Sequence, residues 1–164
     1  TARRVNDGMP AFVVDRVGEG LAATEAVDDA VGIADGGATL TDETEPADAL
    51  ADATVAVLGL TYRAGVEETR ASPGVDICEE LADRGATVLA ADPLVDAAGL
   101  AATDVTVAEL PERAPDAVVL ATAHDEFEAV DWPAMPPAVV VDGRDVLELS
   151  HTDHRLYTVG RGWS

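Results

Sequence analysis

Residues 54–92 contain two apolar runs separated by a long polar turn and an amphipathic segment, and this order restricts the fold most strongly. The first run, residues 54–60 (TVAVLGL), has the length and composition of a strand that is buried on both faces. The second run is Thr87–Ala91, which Asp92 and Pro93 end. Between them Pro73 opens a helix, because proline favours the first turn, and Gly85 closes it. A strand, a crossover helix and a second strand predict a parallel βαβ unit.

The remaining sequence predicts more elements of the same kind. Pro10 begins a segment with apolar residues at helical spacing, which predicts an N-terminal helix. A short helix is predicted at Ala108–Arg113. Further strands are predicted at Val105–Val107, Ala117–Ala121 and Val139–Asp142, with a last, edge strand at Arg155–Val159. The predicted fold is α/β, an open, doubly wound and mainly parallel sheet that is Rossmann-like and follows an N-terminal helix.

Residues 28–52 are rich in Ala, Asp, Glu, Gly and Thr and show little periodicity, so we expect an acidic, solvated loop. Its carboxylates suit a hard cation, but the alternating ligand spacing of a calcium loop is absent, so we expect no metal site. The chain therefore divides into residues 1–27, the acidic loop 28–52 and an α/β domain at 53–164.

The charge of the chain restricts its partners. The net charge is −22, from 32 acidic residues and ten basic residues that are all arginine. Such acidity is typical of proteins from salt-accumulating microbes, whose self-repulsion is screened by salt. It argues against nucleic acid or an anionic membrane as a partner. We see no signal peptide and no span of about 20 apolar residues, so we expect a cytoplasmic protein. The start at Thr1, in a charged segment, suggests a piece of a longer protein.

Polar residues follow each predicted strand, and in an open parallel sheet ligands bind beyond the carboxyl ends of the strands. Three of these residues are arginines, and guanidinium groups bind phosphate through paired hydrogen bonds. The competing interpretation is that these arginines pair with nearby carboxylates such as Glu67, Glu68 and Asp145. The residues concerned are Tyr62, Arg63, Arg70, Asp92, His124, Asp125 and the Asp142-Gly143-Arg144 segment.

Other candidate sites are weaker. A complete dinucleotide fingerprint needs three closely spaced glycines, but only Gly59 and Gly65 are available, which argues against NAD held wholly in this domain. Asp92 lies where a ribose-binding acid would lie, but we interpret Asp-Pro as a strand stop. Cys78 lies on the apolar stripe of its helix, so we interpret it as a core residue. His124 could cap a turn or contact a ligand. His151 and His154 lack a third metal ligand nearby.

The turn after the first strand resembles a family signature. Residues 55–77 (VAVLGLTYRAGVEETRASPGVDI) are similar to the C-terminal signature of the UDP-glucose/GDP-mannose dehydrogenases, Gly-Leu-x-Phe-Lys-x-x-x-Asp-Asp-x-Arg-x-Ser-Pro. Three more stretches agree in the same order: Thr1–Pro10 (TARRVNDGMP), Ala121–Phe127 (ATAHDEF) and Val139–Leu147 (VVVDGRDVL). The resemblance covers most of the chain apart from residues 28–52.

The resemblance implies roles for individual residues. Tyr62 and Arg63 fall on the family's Phe-Lys pair and Arg144 on the arginine of Asp-Gly-Arg, which contact the nucleotide sugar. Arg70 falls on the arginine that reaches the NAD cofactor. The family's catalytic cysteine lies upstream of residue 1, so no catalytic residue is expected in this chain, and Cys78 is not its equivalent.

The resemblance also implies the function. Residues 1–27 would be the end of a central linking helix, and residues 53–164 the UDP-sugar-binding domain of an NAD-dependent 6-dehydrogenase. This enzyme would oxidise a sugar C6 alcohol to a carboxylate, as polysaccharide biosynthesis requires. Its partners would be an N-terminal NAD-binding domain of the same enzyme and further copies in a homo-oligomer. The VNDGMP segment favours UDP-N-acetylmannosamine over UDP-glucose as substrate. The alternative is a non-catalytic acidic binding or scaffolding module.

Overall fold

A computed structural model describes residues 10–23, 46–51, 53–60, 73–92, 102–122, 124–147, 149 and 152–163. Its centre is a seven-stranded sheet in the order β3-β2-β1-β4-β5-β6-β7. All neighbouring strands are parallel except β6 and β7, which are antiparallel. The strands are β1 Thr54–Leu58, β2 Thr87–Ala91, β3 Thr103–Asp104, β4 Ala117–Leu120, β5 Val139–Asp142, β6 Arg155–Thr158 and β7 Gly162–Trp163.

Four α-helices and three 3₁₀ segments connect and cover the sheet in the described part of the chain. Residues 10–23 are helical and are called α1. The other α-helices are α2 Pro46–Ala51, α3 Pro73–Asp83 and α4 Leu110–Arg113. The 3₁₀ segments are Val107–Glu109, Asp125–Ala129 and Trp132–Ala134. The strand order, with β1 and β4 in the middle, is that of a doubly wound fold and confirms the predicted fold class.

The sheet is buried on both faces because its central strands β1, β4 and β5 are apolar at every position except the first of β1 and the last of β5. Side chains alternate along β1, so that Val55 and Val57 belong to one core while Ala56 and Leu58 belong to the other. Helices α1, α2 and α3 cover the first core, and α4 with the two later 3₁₀ segments covers the second. This continuous burial is the reason why an unbroken apolar run, rather than an alternating one, predicted the strands.

Three predictions from the sequence were wrong. Residues 46–51, which we assigned to the acidic loop, form α2, because Ala49 and Leu50 are buried in the core. The strand predicted at Val105–Val107 lies instead at Thr103–Asp104. The predicted edge strand near the C-terminus, β6, is paired on both sides, with the two-residue strand β7 outside it.

The prediction of an N-terminal helix from Pro10 agrees with α1. Its buried positions Val13, Val17 and Leu21 follow the helical spacing in the sequence. Arg84, just after α3, links α3 to α1 by donating to Asp15 at 2.6 Å and to Glu80 at 2.9 Å. Among the described residues, no helix is long and apolar enough to cross a membrane.

Candidate functional site

The carboxyl ends of β1 and β4 form the point at which the strand order reverses. From this point β2 and β3 extend to one side, and β5 to β7 extend to the other. In doubly wound sheets this switch point is where ligands bind, because the connections diverge and leave a crevice. The chain segments at this edge are the ones that follow β1, β2, β4 and β5, as the sequence predicted.

Two glycines allow β1, α3 and β4 to approach closely at the switch point. Gly59 has a φ of +103°, and a Cβ atom there would lie 2.6 Å from the Cβ of Thr122. Gly74, in the first turn of α3, is even more restricted, since its Cβ atom would lie 1.8 Å from the carbonyl oxygen of Gly59. Gly74 therefore allows the N-terminus of α3 to lie against the end of β1, and Gly59 allows the end of β1 to lie against Thr122, just after β4. The sequence analysis missed Gly74, although a glycine directly after the Pro73 that opens a helix was the available signal.

The side chain of Asp92 is bonded inside the protein. Its Oδ2 atom accepts a hydrogen bond from the backbone N–H of Leu60 at 2.7 Å and lies 3.1 Å from Nε2 of His124. The Asp92 side chain is 0% exposed and that of His124 only 2%. Strand β2 does end at Ala91, which agrees with the predicted strand stop. The side chain, however, also connects the segments that follow β1, β2 and β4, which the interpretation of Asp-Pro as a strand stop did not predict.

His124 begins the 3₁₀ segment Asp125–Ala129 as its N-cap residue, but its side chain makes no capping hydrogen bond. Its ring packs edge-on against Phe127, with ring centres 5.4 Å apart. The side chain therefore does not cap this segment, and the ligand contact that the sequence left open stays a prediction. Asp125, by contrast, is exposed.

Asp142, at the end of β5, organises the following loop with its carboxylate. Oδ1 accepts from the backbone N–H groups of Arg144 and Asp145, at 2.8 and 2.9 Å. Oδ2 accepts from those of Val146 and Leu147, at 2.8 and 2.7 Å. The residue is fully buried, so these four donors replace the water that a carboxylate needs. The sequence analysis treated this aspartate only as part of the Asp-Gly-Arg segment, because sequence alone does not show which N–H groups face a side chain.

Arg144 is exposed on this ordered loop. Asp145, which we considered as its ion-pair partner, adopts a φ of +57° and instead contacts Nε of Arg161 at 3.1 Å. Among the residues that the structure describes, no carboxylate forms an ion pair with the Arg144 guanidinium. Of the site residues predicted from the sequence, Tyr62, Arg63 and Arg70 lie outside the described residues, as do Glu67 and Glu68.

The two sides of the switch point differ in charge. Beyond β2 and β3 lies a cleft of about 190 Å³, with an apolar floor and with Asp104 and Glu126 in its lining. Beyond β5 lies the exposed guanidinium of Arg144, whereas that of Arg161, beyond β6, is paired with Asp145. Arg144 therefore attracts an anionic group such as a phosphate, and the carboxylates of the cleft repel it.

The other polar or nucleophilic candidates have structural roles. His154 accepts from the N–H of Ala138 through Nδ1 at 3.0 Å and donates from Nε2 to the carbonyl of Trp132 at 2.7 Å, so both ring nitrogens are engaged. His151 lies outside the described residues. Burial, with a smaller contribution from Glu79, raises the pKa of the Cys78 thiol to about 12, and it is buried as predicted. Within the described ranges no group of three metal-binding side chains occurs.

Several known proteins are similar to this chain in sequence and in fold. Residues 56–149 match the model of the UDP-glucose/GDP-mannose dehydrogenase family, UDP binding domain. A UDP-N-acetyl-D-mannosamine dehydrogenase from Pyrococcus horikoshii is 29% identical over 165 residues, which cover 98% of this chain and 33% of the relative. A UDP-glucose 6-dehydrogenase from Rickettsia bellii is 34% identical over 123 residues, 65% of this chain and 27% of the relative.

The solved structure of a UDP-D-ManNAc dehydrogenase from Pyrococcus horikoshii superimposes with a TM-score of 0.65 at 30% identity. The match covers 98% of this chain and 33% of that structure. Nearly the whole chain is matched, but it corresponds to only about a third of the length of these relatives.

Proposed function

The chain belongs to the UDP-glucose/GDP-mannose dehydrogenase family, and from this premise we propose that its carboxyl edge binds the UDP part of a nucleotide sugar in a longer enzyme. That enzyme is an NAD-dependent 6-dehydrogenase, and the present chain is its C-terminal, substrate-binding part. The description of the matching family model as a UDP binding domain and the one-third coverage of the relatives both support this proposal.

The observation that carries the proposal is the exposed guanidinium of Arg144 on a loop that Asp142 holds rigid. In a chain with 32 acidic residues, an arginine at the switch point without a described carboxylate partner is available for an anion. The loop is ordered before any ligand arrives, so binding to it costs little conformational entropy. A diphosphate has the charge and the paired oxygens that a guanidinium binds best.

We propose that Tyr62 and Arg63 bind the same nucleotide sugar and that Arg70 contacts NAD. These roles rest on the family signature that residues 55–77 match, and Leu60, two residues before Tyr62, lies at the switch point. Tyr62 keeps the aromatic ring of the family's Phe. Arg63 keeps the positive charge of the family's Lys but adds a planar fork that can make two parallel hydrogen bonds.

The described residues do not fit a complete NAD molecule in this domain. The carboxylate after β2, which would bind the ribose hydroxyls of a dinucleotide, is buried at Asp92 and bonded to Leu60 and His124. We therefore propose that NAD, which would accept the electrons removed from the sugar, is held mainly by an N-terminal domain of the same enzyme. The role of the present chain is to bind the diphosphate and so to orient the sugar C6 carbon toward that domain.

The substrate, the assembly and the location are parts of the same proposal. UDP-N-acetylmannosamine is the preferred substrate, because the VNDGMP segment favours it and a relative that matches 98% of this chain is named for it. UDP-glucose is the second candidate. We further propose a cytoplasmic homo-oligomer, as the family resemblance implies.

The test is a calorimetric titration of UDP against the 164-residue chain in 2 M KCl. We expect Arg144→Ala and Arg63→Ala each to weaken binding about tenfold, the loss of one charge-assisted contact. Arg113→Ala is the matched control, because Arg113 is exposed but lies before β4, at the opposite edge of the sheet. UDP binding that neither Arg63→Ala nor Arg144→Ala weakens, or no binding at all, would contradict the proposal and favour an acidic scaffolding module.

A further inference from the structure

The buried carboxylate of Asp92 extends the pairing of β1 with β2 beyond the end of the sheet. The two strands pair regularly up to Leu58 and Ala91, and the N–H of Gly59 then donates to the carbonyl of Ala91 at 2.9 Å. The next backbone N–H, that of Leu60, donates to the Asp92 side chain at 2.7 Å. At Leu60, where the chain leaves β1, the Asp92 carboxylate thus accepts the hydrogen bond that a backbone carbonyl would accept within the sheet.

His124 completes this arrangement from the other side of β1. Because an ionised carboxylate can only accept hydrogen bonds, Nε2 of His124 carries the hydrogen in its 3.1 Å contact with Asp92 Oδ2. One oxygen atom therefore accepts from the segment after β1 and from the segment after β4. A buried carboxylate is stable only with such donors, so removing one of them reduces the compensation of its charge.

We propose that Asp92 and His124 are positioning residues for the UDP site. They fix Leu60, and through it the point from which the chain continues to Tyr62 and Arg63. Gly59, where the chain leaves β1, has no side chain that could hold the backbone in place. Its φ is positive, a conformation that residues other than glycine rarely adopt. The anchor therefore comes from a neighbouring strand. This inference rests on the proposed function, because the residues that it positions are the proposed ligands of the nucleotide sugar.

The experiment compares a graded series of variants of the 164-residue chain in 2 M KCl. Asp92→Ala and His124→Leu remove the acceptor and the donor. Asp92→Asn keeps an oxygen in neutral form, and His124→Gln keeps an N–H donor of similar reach. Glu112→Gln is the matched control, since Glu112 is exposed and lies before β4, at the opposite edge of the sheet.

Two properties are measured at a temperature at which each variant is folded. The first is hydrogen–deuterium exchange of the Leu60 amide, followed by NMR, which reports the anchor without any ligand. The second is UDP affinity by calorimetry. We expect Asp92→Ala and His124→Leu to speed Leu60 exchange and to weaken UDP binding about tenfold. Asp92→Asn and His124→Gln should retain affinity within about threefold of the unmodified chain, and Glu112→Gln should change neither property.

The outcomes separate this inference from the proposed function. If the unmodified chain does not bind UDP, the proposed function fails, and the role of the pair in UDP binding fails with it. If the unmodified chain binds UDP but Asp92→Ala and His124→Leu bind it equally well while Leu60 exchanges faster, only the positioning role is overturned. Should Asp92→Ala not fold, the two histidine variants and Asp92→Asn still distinguish a positioning role from one in stability alone.

Discussion

The carboxylate of Asp142 accepts a hydrogen bond from the backbone N–H of Arg144 at 2.8 Å. The buried Asp142 therefore fixes the backbone of Arg144, whose side chain is exposed. Three further N–H groups donate to the same carboxylate, from Asp145, Val146 and Leu147. The Asp-Gly-Arg segment therefore combines two functions. Its first residue builds the loop, and its third presents a guanidinium at the switch point.

Replacing Asp142 with Asn tests this arrangement. An amide has only one oxygen, so its NH₂ group would face two backbone donors, which would lose their acceptor. We expect the free energy of unfolding to fall by about 3 kcal/mol and the melting temperature by about 10 °C. Thermal unfolding followed by circular dichroism in 2 M KCl measures this effect. Asp153→Asn, at an exposed position, is the control and should melt within ~2 °C of the unmodified chain. Equal melting temperatures for the two variants would disprove the role of Asp142.

Replacing Gly74 with Ala tests the close approach of α3 to β1. The added Cβ atom would lie 1.8 Å from the carbonyl oxygen of Gly59, which is backbone and cannot rotate away. The helix must move, and we expect a loss of at least about 3 kcal/mol in the free energy of unfolding. Denaturant titration measures this loss. Glu79→Ala, at an exposed position of the same helix, should change the free energy by no more than about 0.5 kcal/mol. A Gly74→Ala variant as stable as Glu79→Ala would show that α3 can shift freely.

The sequence predicted the central strands well because burial on both faces leaves a direct signal. Val139–Asp142 and Thr87–Ala91 have the predicted bounds. Apolar residues report burial rather than hydrogen-bond pairing, however. Val105 is buried in the core and adds one hydrogen bond to Ala90 of β2, whereas the residues in register with β2 are the exposed Thr103 and Asp104. The short strand β7 has too few residues to show a hydrophobic pattern in the sequence.

The candidate site was predictable only in part. The position of Arg144 follows from the rule that ligands bind beyond the carboxyl ends of parallel strands. The partners of Asp92 and Asp142 do not follow from any local pattern, because an aspartate after a strand can face solvent, a ligand or a backbone N–H. Asp92 bonds to residues that lie 32 positions away in the sequence on both sides. Such contacts are set by how the strands are ordered in the sheet.

The stability of the protein should depend on Cys78 at alkaline pH. Burial, assisted by the Glu79 carboxylate, raises the pKa of this thiol from 9.0 to about 12. Above pH 9 the unfolded chain loses the thiol proton while the folded chain keeps it, so the free energy of unfolding falls as the pH rises toward 12. Between pH 8 and pH 10.5 this contribution amounts to about 2 kcal/mol.

Denaturant titrations of the unmodified chain and of Cys78→Ala at both pH values measure that contribution. The variant is less stable at pH 8, because it loses packing, but its free energy should fall less steeply. Parallel declines would contradict the assignment. For the same reason iodoacetamide should label Cys78 at pH 8 only after unfolding.

Salt should stabilise this protein strongly because its net charge is −22 and its described ion pairs are few and partly exposed. Repulsion between surface carboxylates opposes folding in dilute buffer, and at molar salt it is screened over about 3 Å. We expect the melting temperature to rise by ~10 °C between 0.05 and 2 M KCl, equivalent to a few kcal/mol. Differential scanning calorimetry over a KCl series measures this rise.

A variant with fewer charges tests whether repulsion is the cause of this salt dependence. Glu112, Asp125 and Glu128 are exposed and form no described ion pair. The triple variant Glu112→Gln, Asp125→Asn, Glu128→Gln removes three negative charges without touching the core. It should be more stable than the unmodified chain in dilute buffer and should gain less from KCl, because it has less repulsion to screen. A triple variant with an unchanged salt dependence, or an unmodified chain that melts at the same temperature throughout the series, would show that repulsion does not limit stability.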